Sequence, residues 1–456
     1  MEKMDYKTYF KDKKITMLGL GLLGRGVNVA KFLAGLGAEL TITDMKDAEA
    51  LAPSLKQLKK FKNIRYVLGG HKLEDFQKAD CVVKAAGVPL DSPYIAEAKK
   101  NGIPVEMDAS LFAKFTGATI VGITGTRGKS TVTHLLEYIL TRAYPKHVFV
   151  GGNVRGVATL PLLKKVKAGD IVILELDSWQ LQGFGDAKLS PHIAVFTNFL
   201  PDHLNYYKGN MGKYFNDKEN IFKYQNEDEV FIVGEQAARE IKKRANPRAS
   251  LGQGSKGCPW IVAKVALVPK TWKIQIPGEH NRANIACAIL VCRELDVSSE
   301  VIKKGVESFA GVPGRLECVA TVGGVKYYND TTATTPDGNR VALEALGAKG
   351  KKNIVLIAGG ADKELDYASM AKLVHKTVKG LVLIEGTATE KLLRLIPKKT
   401  SYPVYIVDSM KDAVEVARDF ARRGDIVLLS PGAASFGVFK NEFERGDQFV
   451  KLVRKL

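Results

Sequence analysis

Short apolar runs alternate with helix-patterned segments from one end of this 456-residue chain to the other, and few folds accept that pattern. A strand that is apolar throughout must bury both faces. Alternation with helices therefore points to mainly parallel sheets covered by helices, the α/β class. KITMLGLG (14–21), AELTITD (38–44) and ADCVVKAAG (79–87) read as buried strands, with helices after Gly24 and near 93–101. ATIVGIT (118–124) is another strand, and a helix follows from about Gly128 to Leu140. DIVILEL (170–176), HIAVFTN (192–198) and EVFIVG (229–234) continue the series. The stretch 245–280 differs: its Gly, Pro and short β-like runs predict a small antiparallel insert. A third series opens near Gly311, with strands NIVLIAGG (353–360), GLVLIEG (380–386) and DIVLLSPG (425–432). The expected domains are therefore 1–114, 115–310 and 311–456, in keeping with ~150 residues per domain.

Composition narrows the function classes. With 45% hydrophobic and 26% charged residues the chain is neither disordered nor collagen-like nor a coiled coil. No apolar run approaches the ~20 residues of a membrane-spanning helix, so no membrane insertion is expected. The charged start, MEKMDYKTYFKDKK, has no apolar core and does not read as a signal peptide. Cys81, Cys258, Cys287, Cys292 and Cys318 are scattered, which fits reduced thiols in a cytoplasmic protein. The net charge of +19 comes from lysines and arginines spread along the chain, not from a basic stripe interleaved with aromatics. Polyanionic small substrates are expected, and nucleic acid is not.

Two glycine-rich loops at strand-to-helix turns carry the chemistry. Gly19-Leu20-Gly21-Leu22-Leu23-Gly24 fits G-x-G-x-x-G, and Asp44 closes the next strand, where an acid would meet a ribose hydroxyl. Taken alone, this loop suits a nicotinamide or flavin cofactor, another nucleotide or a plain tight turn. Gly125-Thr126-Arg127-Gly128-Lys129-Ser130-Thr131 is the second loop. Ile123 stands where a strict phosphate loop has its first Gly. The physics is retained: a glycine-rich backbone, a lysine for β/γ-phosphates and a hydroxyl for magnesium. ATP is the ligand that fits best.

Magnesium ligands should come from neighbouring strand ends. Glu175 ends ILEL, Asp177 follows it, and His203 lies in Asn198-Phe199-Leu200-Pro201-Asp202-His203. Singly, Glu175 reads equally as a helix-capping acid and His203 as a loop histidine. After a phosphate loop, together, they favour a metal site.

At this point the residues resemble the Mur ligases, which build the peptide stem of bacterial cell-wall precursors. Thr124-Gly125-Thr126-Arg127-Gly128-Lys129-Ser130 is similar to that family's T-G-T-x-G-K-[ST] loop, and Glu175-Leu176-Asp177-Ser178-Trp179-Gln180-Leu181 to its E-x-S-S-x-Q-L segment. Gly278-Glu279-His280-Asn281-Arg282-Ala283-Asn284 resembles G-x-H-N-x-x-N, and Gly311-Val312-Pro313-Gly314-Arg315-Leu316-Glu317 resembles G-x-x-x-R-x-E. The tail from Leu429 to Phe436, with Phe439-Lys440-Asn441 and Glu444-Arg445-Gly446, is similar to the D-glutamate-adding branch, as is Asn329-Asp330-Thr331-Thr332-Ala333-Thr334.

The resemblance implies a Rossmann-like UDP-binding domain, a central ATPase and a Rossmann-like C-terminal domain. The first glycine loop is then a cradle for a UDP-sugar and not an NAD site. The implied reaction joins D-glutamate to UDP-N-acetylmuramoyl-L-alanine through an acyl phosphate, with ATP and two Mg2+, in a cytoplasmic monomer. Lys129 would hold the β/γ-phosphates, Ser130 and Glu175 one magnesium, and His203 a second. Lys218, fifteen residues after His203, matches a lysine that the family carbamylates with carbon dioxide, and the carbamate's oxygens would support magnesium. Asn281 and Asn284 would face ATP, with Arg315 and Asp330 reaching it from the next domain, so that catalysis depends on domain closure. Leu22, Leu23, Asp44, Met45, Lys46, Gly87 and Asn153 match positions for the UDP substrate, and Thr334, Lys363 and Ser435 match positions for the amino acid.

Three departures stand out. Asp177 replaces a usual Ser and adds negative charge, Thr332 replaces a common Lys, and Glu442 sits where a Phe is usual. They suit a divergent branch with the same reaction or a changed amino acid such as L-glutamate. An oxidoreductase built on the first loop would leave the second loop, Lys218 and the C-terminal motifs unexplained. A non-catalytic UDP-sugar sensor would have no use for Lys129, Glu175, His203 and Lys218.

Overall fold

We describe residues 5–22, 24–154, 156–203, 206–244, 260–347, 351–397 and 399–456 of a computed structural model of the chain. The chain divides into two compact units, Met1–Lys270 with Ala283–Val306, and Thr271–Arg282 with Glu307–Leu456.

The first unit holds two parallel sheets. One is built from β1 (Lys14–Leu18), β2 (Glu39–Asp44), β3 (Ile64–Leu68), β4 (Cys81–Lys84) and β5 (Val105–Glu106), in the order β3-β2-β1-β4-β5. The order reverses between β1 and β4. The loops leaving those two strands therefore diverge and leave a crevice, the usual ligand position in such sheets. The second comprises β6 (Thr119–Thr124), β7 (Val148–Gly152), β8 (Ile171–Glu175), β9 (Ile193–Phe196), β10 (Val230–Gly234) and β11 (Trp260–Ala263), ordered β11-β10-β9-β6-β8-β7. Here the reversal falls between β6 and β9, so the segments after Thr124 and Phe196 flank the crevice.

The strands named from sequence form these sheets because their runs are buried on both faces: β4 and β8 are buried at every position. A continuous apolar core reaches from Phe10, Phe32 and Leu40 of the first sheet layer through Phe112 and Phe115 to Val172, Leu174 and Phe196 of the second. Each such side chain contributes ~1.5–3 kcal/mol by leaving water. Arg25 adds polar fixing across the same seam, donating to Asn153 Oδ1 and to the Val154 and Val157 carbonyls, each at 3.3 Å.

The expected antiparallel insert over 245–280 is corrected by its described part. Trp260–Ala263 pairs parallel to β10 as an edge strand of the central sheet, and residues 245–259 lie outside the described residues. A short run beside a Gly/Pro-rich stretch does not reveal its partner; stacking of Trp260 on Phe231, rings 6.1 Å apart, helps fix it here.

The second unit has one sheet: β12 (Glu317–Val322), β13 (Val325–Asn329), β14 (Ile354–Gly359), β15 (Val378–Ile384), β16 (Val404–Val407) and β17 (Ile426–Leu429), ordered β12-β13-β17-β14-β15-β16. Only the β12–β13 pair is antiparallel. It is a hairpin closed by Gly323 and Gly324, whose φ of 56° and 80° suit the tight turn that matches strand twist. Apolar clusters cover both faces, one around Leu356, Leu383 and Met370, the other around Ile357, Val427 and Phe449.

Candidate active site

The phosphate loop leaves β6 at Thr124 and enters the Lys129–Ala143 helix through Gly128. Gly125 has φ 144° and Gly128 φ 85°, and a Cβ would fall 1.9 Å from Thr197 Oγ1 at Gly125 and 2.2 Å from Asn284 Oδ1 at Gly128. Neither glycine can be replaced without moving the neighbours that frame the loop. Thr197 Oγ1 and Asn198 Nδ2 donate to the Arg127 carbonyl (2.6 and 3.1 Å), and Asn198 Oδ1 accepts the Arg127 N–H at 2.8 Å. Leu200 N donates to Thr126 Oγ1 at 2.9 Å. The loop is thus held open by β9's exit, and the first N–H groups of the helix lack intrahelical acceptors, the usual anion cradle. Buried Ser130 and half-buried Thr131 follow in the first turn.

Lys129 and Lys218 converge on one oxygen. Lys129 Nζ donates to the Gly125 carbonyl at 3.0 Å and Lys218 Nζ donates to the same carbonyl at 2.9 Å and to Thr124 Oγ1 at 3.2 Å. Lys218 sits on the Met211–Glu219 helix, is 1% exposed and lies 5.0 Å over the Tyr214 ring. Its helix is held by Asp217, which accepts from Gln182 Nε2 and Tyr207 OH at 2.8 Å each. Burial, then the Lys129 charge, push the Lys218 amine well below the usual lysine range, against the pull of Asp177, Asp202 and Asp217.

Glu175 ends β8 opposite Ile123 of β6 and is buried. Its carbonyl accepts the Asn153 N–H at 2.6 Å, and Gly152 leaves room for that approach, since a Cβ there would fall 2.1 Å from the same oxygen. His203 has φ 52°, with its ring 4.9 Å from Trp179 and its Nε2 3.9 Å from Asp202. Burial lowers its pKa and Asp202 opposes, which favours the neutral imidazole. Among the described residues no group of three or more His, Cys, Asp or Glu is arranged to hold a metal. Glu175 and Ser130 are hard oxygen donors beside the phosphate cradle. Such a sparse set suits Mg2+, which keeps waters and takes phosphate oxygens instead of a protein cage.

Asp177 caps the Ser178–Asp186 helix: its Oδ1 accepts the Gln180 N–H at 2.7 Å, and Gln180 Oε1 accepts the Asp177 N–H at 3.3 Å. The departure from Ser therefore keeps the cap and adds charge.

In the first sheet Asp44 turns inward. Its Oδ2 accepts the Leu20 and Gly21 N–H groups (2.9 and 3.1 Å) and its Oδ1 the Lys46 N–H at 3.0 Å. Burial alone would raise its pKa; these three donors outweigh it and lower the value. Asp44 frames the loop, where sequence reasoning expected it at a ribose hydroxyl. Leu22 (51%) on the framed loop and Met45 (67%) after β2 are exposed, as are Lys46 and Gly87. Leu23 lies outside the described residues. Asn153 is exposed and bonded to Arg25, as above.

Sequence reasoning missed Lys84. It ends β4, is 3% exposed and donates to the Val88 carbonyl at 3.1 Å. Burial lowers its pKa to about 8, with Asp177, Asp186 and Asp217 pulling upward. A lysine closing an all-apolar strand before a glycine turn was the available signal.

The second unit gathers the amino-acid candidates. Lys363 Nζ donates to Thr334 Oγ1 at 3.2 Å. Buried Ser435 follows Ala434, which exchanges two 3.0 Å backbone hydrogen bonds with Ala361. Asp330 is buried, accepting from Leu316 N (3.2 Å) and Ser430 Oγ (2.8 Å), while Arg315 is exposed. Thr332, the replacement for Lys, donates from Oγ1 to the Gly314 carbonyl at 2.9 Å and so ties the 311–317 turn to the 330–334 loop. Asn281 donates to the Pro277 carbonyl at 2.7 Å, and Asn284 lies against Gly128.

Three family models match the chain: the Mur ligase MurD-like N-terminal domain over residues 13–106, the Mur ligase middle domain over 123–292, and the Mur ligase glutamate ligase domain over 314–432. The UDP-N-acetylmuramoylalanine–D-glutamate ligase of Roseiflexus sp. (strain RS-1) is 38% identical, over 97% of this chain and 98% of that protein. The chain belongs to the Mur ligase family. The like-named enzyme of Borreliella afzelii is 36% identical over 98% of each chain. Solved structures agree on the Mur ligase fold. The UDP-N-acetylmuramate-alanine ligase MurC of Thermotoga maritima has a TM-score of 0.59 at 20% identity, covering 97% of this chain and 99% of that one. MurF from the same organism, in complex with ADP, has a TM-score of 0.59 at 16% identity, covering 99% and 97%.

Proposed function

We propose that this Mur ligase adds D-glutamate to UDP-N-acetylmuramoyl-L-alanine at the expense of ATP, as an ADP-forming amide ligase of cell-wall precursor synthesis. The reading is carried by near-full-length similarity to two enzymes named for that reaction, in a chain whose phosphate loop carries Lys129 and leaves the strand that Glu175 pairs with. We assign the UDP-sugar site to residues 1–114, the ATP site to 115–310 and the amino-acid site to 311–456, and we place the enzyme in the cytoplasm as a monomer. No helix among the described residues is long and apolar enough to cross a membrane.

The acceptor's carboxylate oxygen attacks the γ-phosphorus of ATP, and the bond to the ADP oxygen breaks. The amine of D-glutamate then attacks the carbonyl carbon of the acyl phosphate, and phosphate leaves. The main obstacle is crowding of a carboxylate against a triphosphate. Lys129 and the N–H groups of the 125–131 loop answer it with positive charge and fixed donors. Ser130 and Glu175 would hold one Mg2+ and His203 a second, and the metal would supply neutralisation of phosphate charge. We assign Asn281, Asn284, Arg315 and Asp330 to ATP as well. We assign Leu22, Leu23, Asp44, Met45, Lys46, Gly87 and Asn153 to the UDP-sugar substrate. Lys218 acts as its carbamate: an amine kept neutral by burial is the form that attacks carbon dioxide. The bond formed is N–C, and one proton is released.

The deciding assay measures ATP hydrolysis dependent on UDP-N-acetylmuramoyl-L-alanine against a panel of D- and L-amino acids. D-glutamate should be the preferred donor. Preference for L-glutamate or another acid would assign the three departures to a changed pocket.

Lys363 and Thr334, joined by the 3.2 Å bond, and Ser435 supply a charge and hydroxyls to the glutamate carboxylates. Lys363→Ala should raise the glutamate KM by about tenfold to a hundredfold, the worth of a charged hydrogen bond. The ATP KM should stay within about twofold; an equal rise in both would place Lys363 elsewhere.

A further inference from the structure

Arg445 is 1% exposed, the bulkiest of the fully buried side chains, and nothing in the proposed chemistry uses it. It lies on the Glu442–Val453 helix, in a Glu-Arg-Gly tripeptide. Its Nε donates to Thr331 Oγ1 at 3.1 Å, one Nη to the Thr331 carbonyl at 2.8 Å and the other to the Ala433 carbonyl at 3.3 Å. Thr331 Oγ1 passes its own proton to the Glu442 carbonyl at 2.7 Å, which ties the loop to the start of the same helix. The third loop is within reach as well. A Cβ on Gly360 would sit 3.7 Å from the guanidinium and 2.3 Å from the Ala434 carbonyl. Gly446 must be a glycine for the approach, since a Cβ there would meet Thr331 Cγ2 at 2.5 Å.

These anchor points are not scattered. Thr331 opens the loop that carries Thr334, Gly360 the loop that carries Lys363, and Ala433 the loop that carries Ser435. All three loops leave the carboxyl ends of neighbouring strands, β13, β14 and β17. A planar fork with fixed donor directions suits such a junction, whereas a lysine has no equivalent geometry. The charge matters too. Among the described residues no carboxylate lies within 4.0 Å of this guanidinium; Glu442 acts on it only from further away. A buried cation without an ion-pair partner is costly, and an anionic ligand entering the same loop cluster relieves that cost.

We propose that Arg445 is a positioning residue of the amino-acid site, holding the three loops that present Thr334, Lys363 and Ser435 in register and placing a buried positive charge behind them for a dicarboxylic amino acid. The inference rests on the amino-acid site assigned above. A purely structural staple would behave differently: its loss would lower thermal stability and turnover but leave the balance among the three substrates unchanged.

The test uses the full-length enzyme and compares wild type, Arg445→Lys and Arg445→Ala for the KM of amino acid, ATP and UDP acceptor, together with Tm. Wild type is assayed first against the amino-acid panel. If it rejects D-glutamate, the functional reading fails while Arg445 is still judged on the amino acid the enzyme accepts. The expected result is an amino-acid KM raised about tenfold or more in both variants, with the other two KM values within about twofold. Sub-denaturing guanidinium ion should lower the amino-acid KM of Arg445→Ala part of the way back. Should Arg445→Ala fail to fold, Arg445→Lys decides alone. An unchanged amino-acid KM in Arg445→Lys, or a parallel rise of all three KM values, overturns the proposal.

Discussion

Lys129→Ala should cut acceptor-dependent phosphate release by about 10³-fold or more, the scale at which single cations act on phosphoryl transfer, and leave binding of the UDP-linked acceptor within about twofold. The loop itself should survive the change. Its frame is made by Thr197, Asn198 and Leu200, while Lys129 Nζ adds donations to the Gly125 and Thr126 carbonyls at 3.0 and 3.3 Å. The Gly125 carbonyl also keeps a donor, because Lys218 reaches it at 2.9 Å. What is lost is the charge that meets the γ-phosphate as the acceptor's carboxylate approaches. The acceptor's uridine end is assigned to the loop framed by Asp44 in the first sheet, whose contacts do not involve Lys129. A phosphate-release assay and a calorimetric titration with UDP-N-acetylmuramoyl-L-alanine separate the two effects. Turnover within tenfold of wild type would remove the ATPase assignment.

How much of this was legible beforehand follows from what a local pattern can encode. Fully buried strands such as Ile171–Glu175 and Ile354–Gly359 stand out, because nothing but an apolar run survives burial on both faces. Edge and half-exposed strands do not: Ile64–Leu68 and Val404–Val407 carry no fully buried residue, and Trp260–Ala263 has only one. The Gly323-Gly324 pair is a turn signal between two β-like runs. The merging of the first two sheets into one compact unit was not readable, because no periodicity says that Phe112 and Phe115 will be shared between layers.

The candidate site divides the same way. Residues proposed to meet a phosphate or a metal announce themselves by motif, as Lys129 and Glu175 do. Residues whose partners are backbone groups far along the chain do not. Asp44 carries the fingerprint of a nucleotide contact, and its bonds to the N–H groups of Leu20, Gly21 and Lys46 could not be read from that motif. Arg445 stood inside a matched motif, but its work is visible only once residues 331 and 433 are seen to fold onto it.

Lys218→Arg should lose about 10²-fold or more in turnover, and Lys218→Ala a comparable amount. The amine is 1% exposed and shares the Gly125 carbonyl with Lys129. Two full positive charges on one oxygen, one of them cut off from water, is an unfavourable ground state. Burial and Lys129 together depress the Lys218 pKa, so the neutral amine persists to lower pH than in an exposed lysine. The sign of the pH effect follows. Carbamate forms from neutral amine and carbon dioxide and releases a proton, so falling pH reverses it, and activity should drop when carbon dioxide is stripped at low pH and return with bicarbonate. The depressed pKa moves that loss to lower pH than an ordinary lysine would show. Arginine stays protonated at every relevant pH and cannot take part. Acetate should partly restore Lys218→Ala, because a small carboxylate can occupy the vacated volume and supply the missing anion. Carbon-13 NMR of the wild type in labelled bicarbonate should show a carbamate resonance that Lys218→Arg lacks. Near-full activity in Lys218→Arg would make the lysine a buried structural residue and end the carbamate assignment.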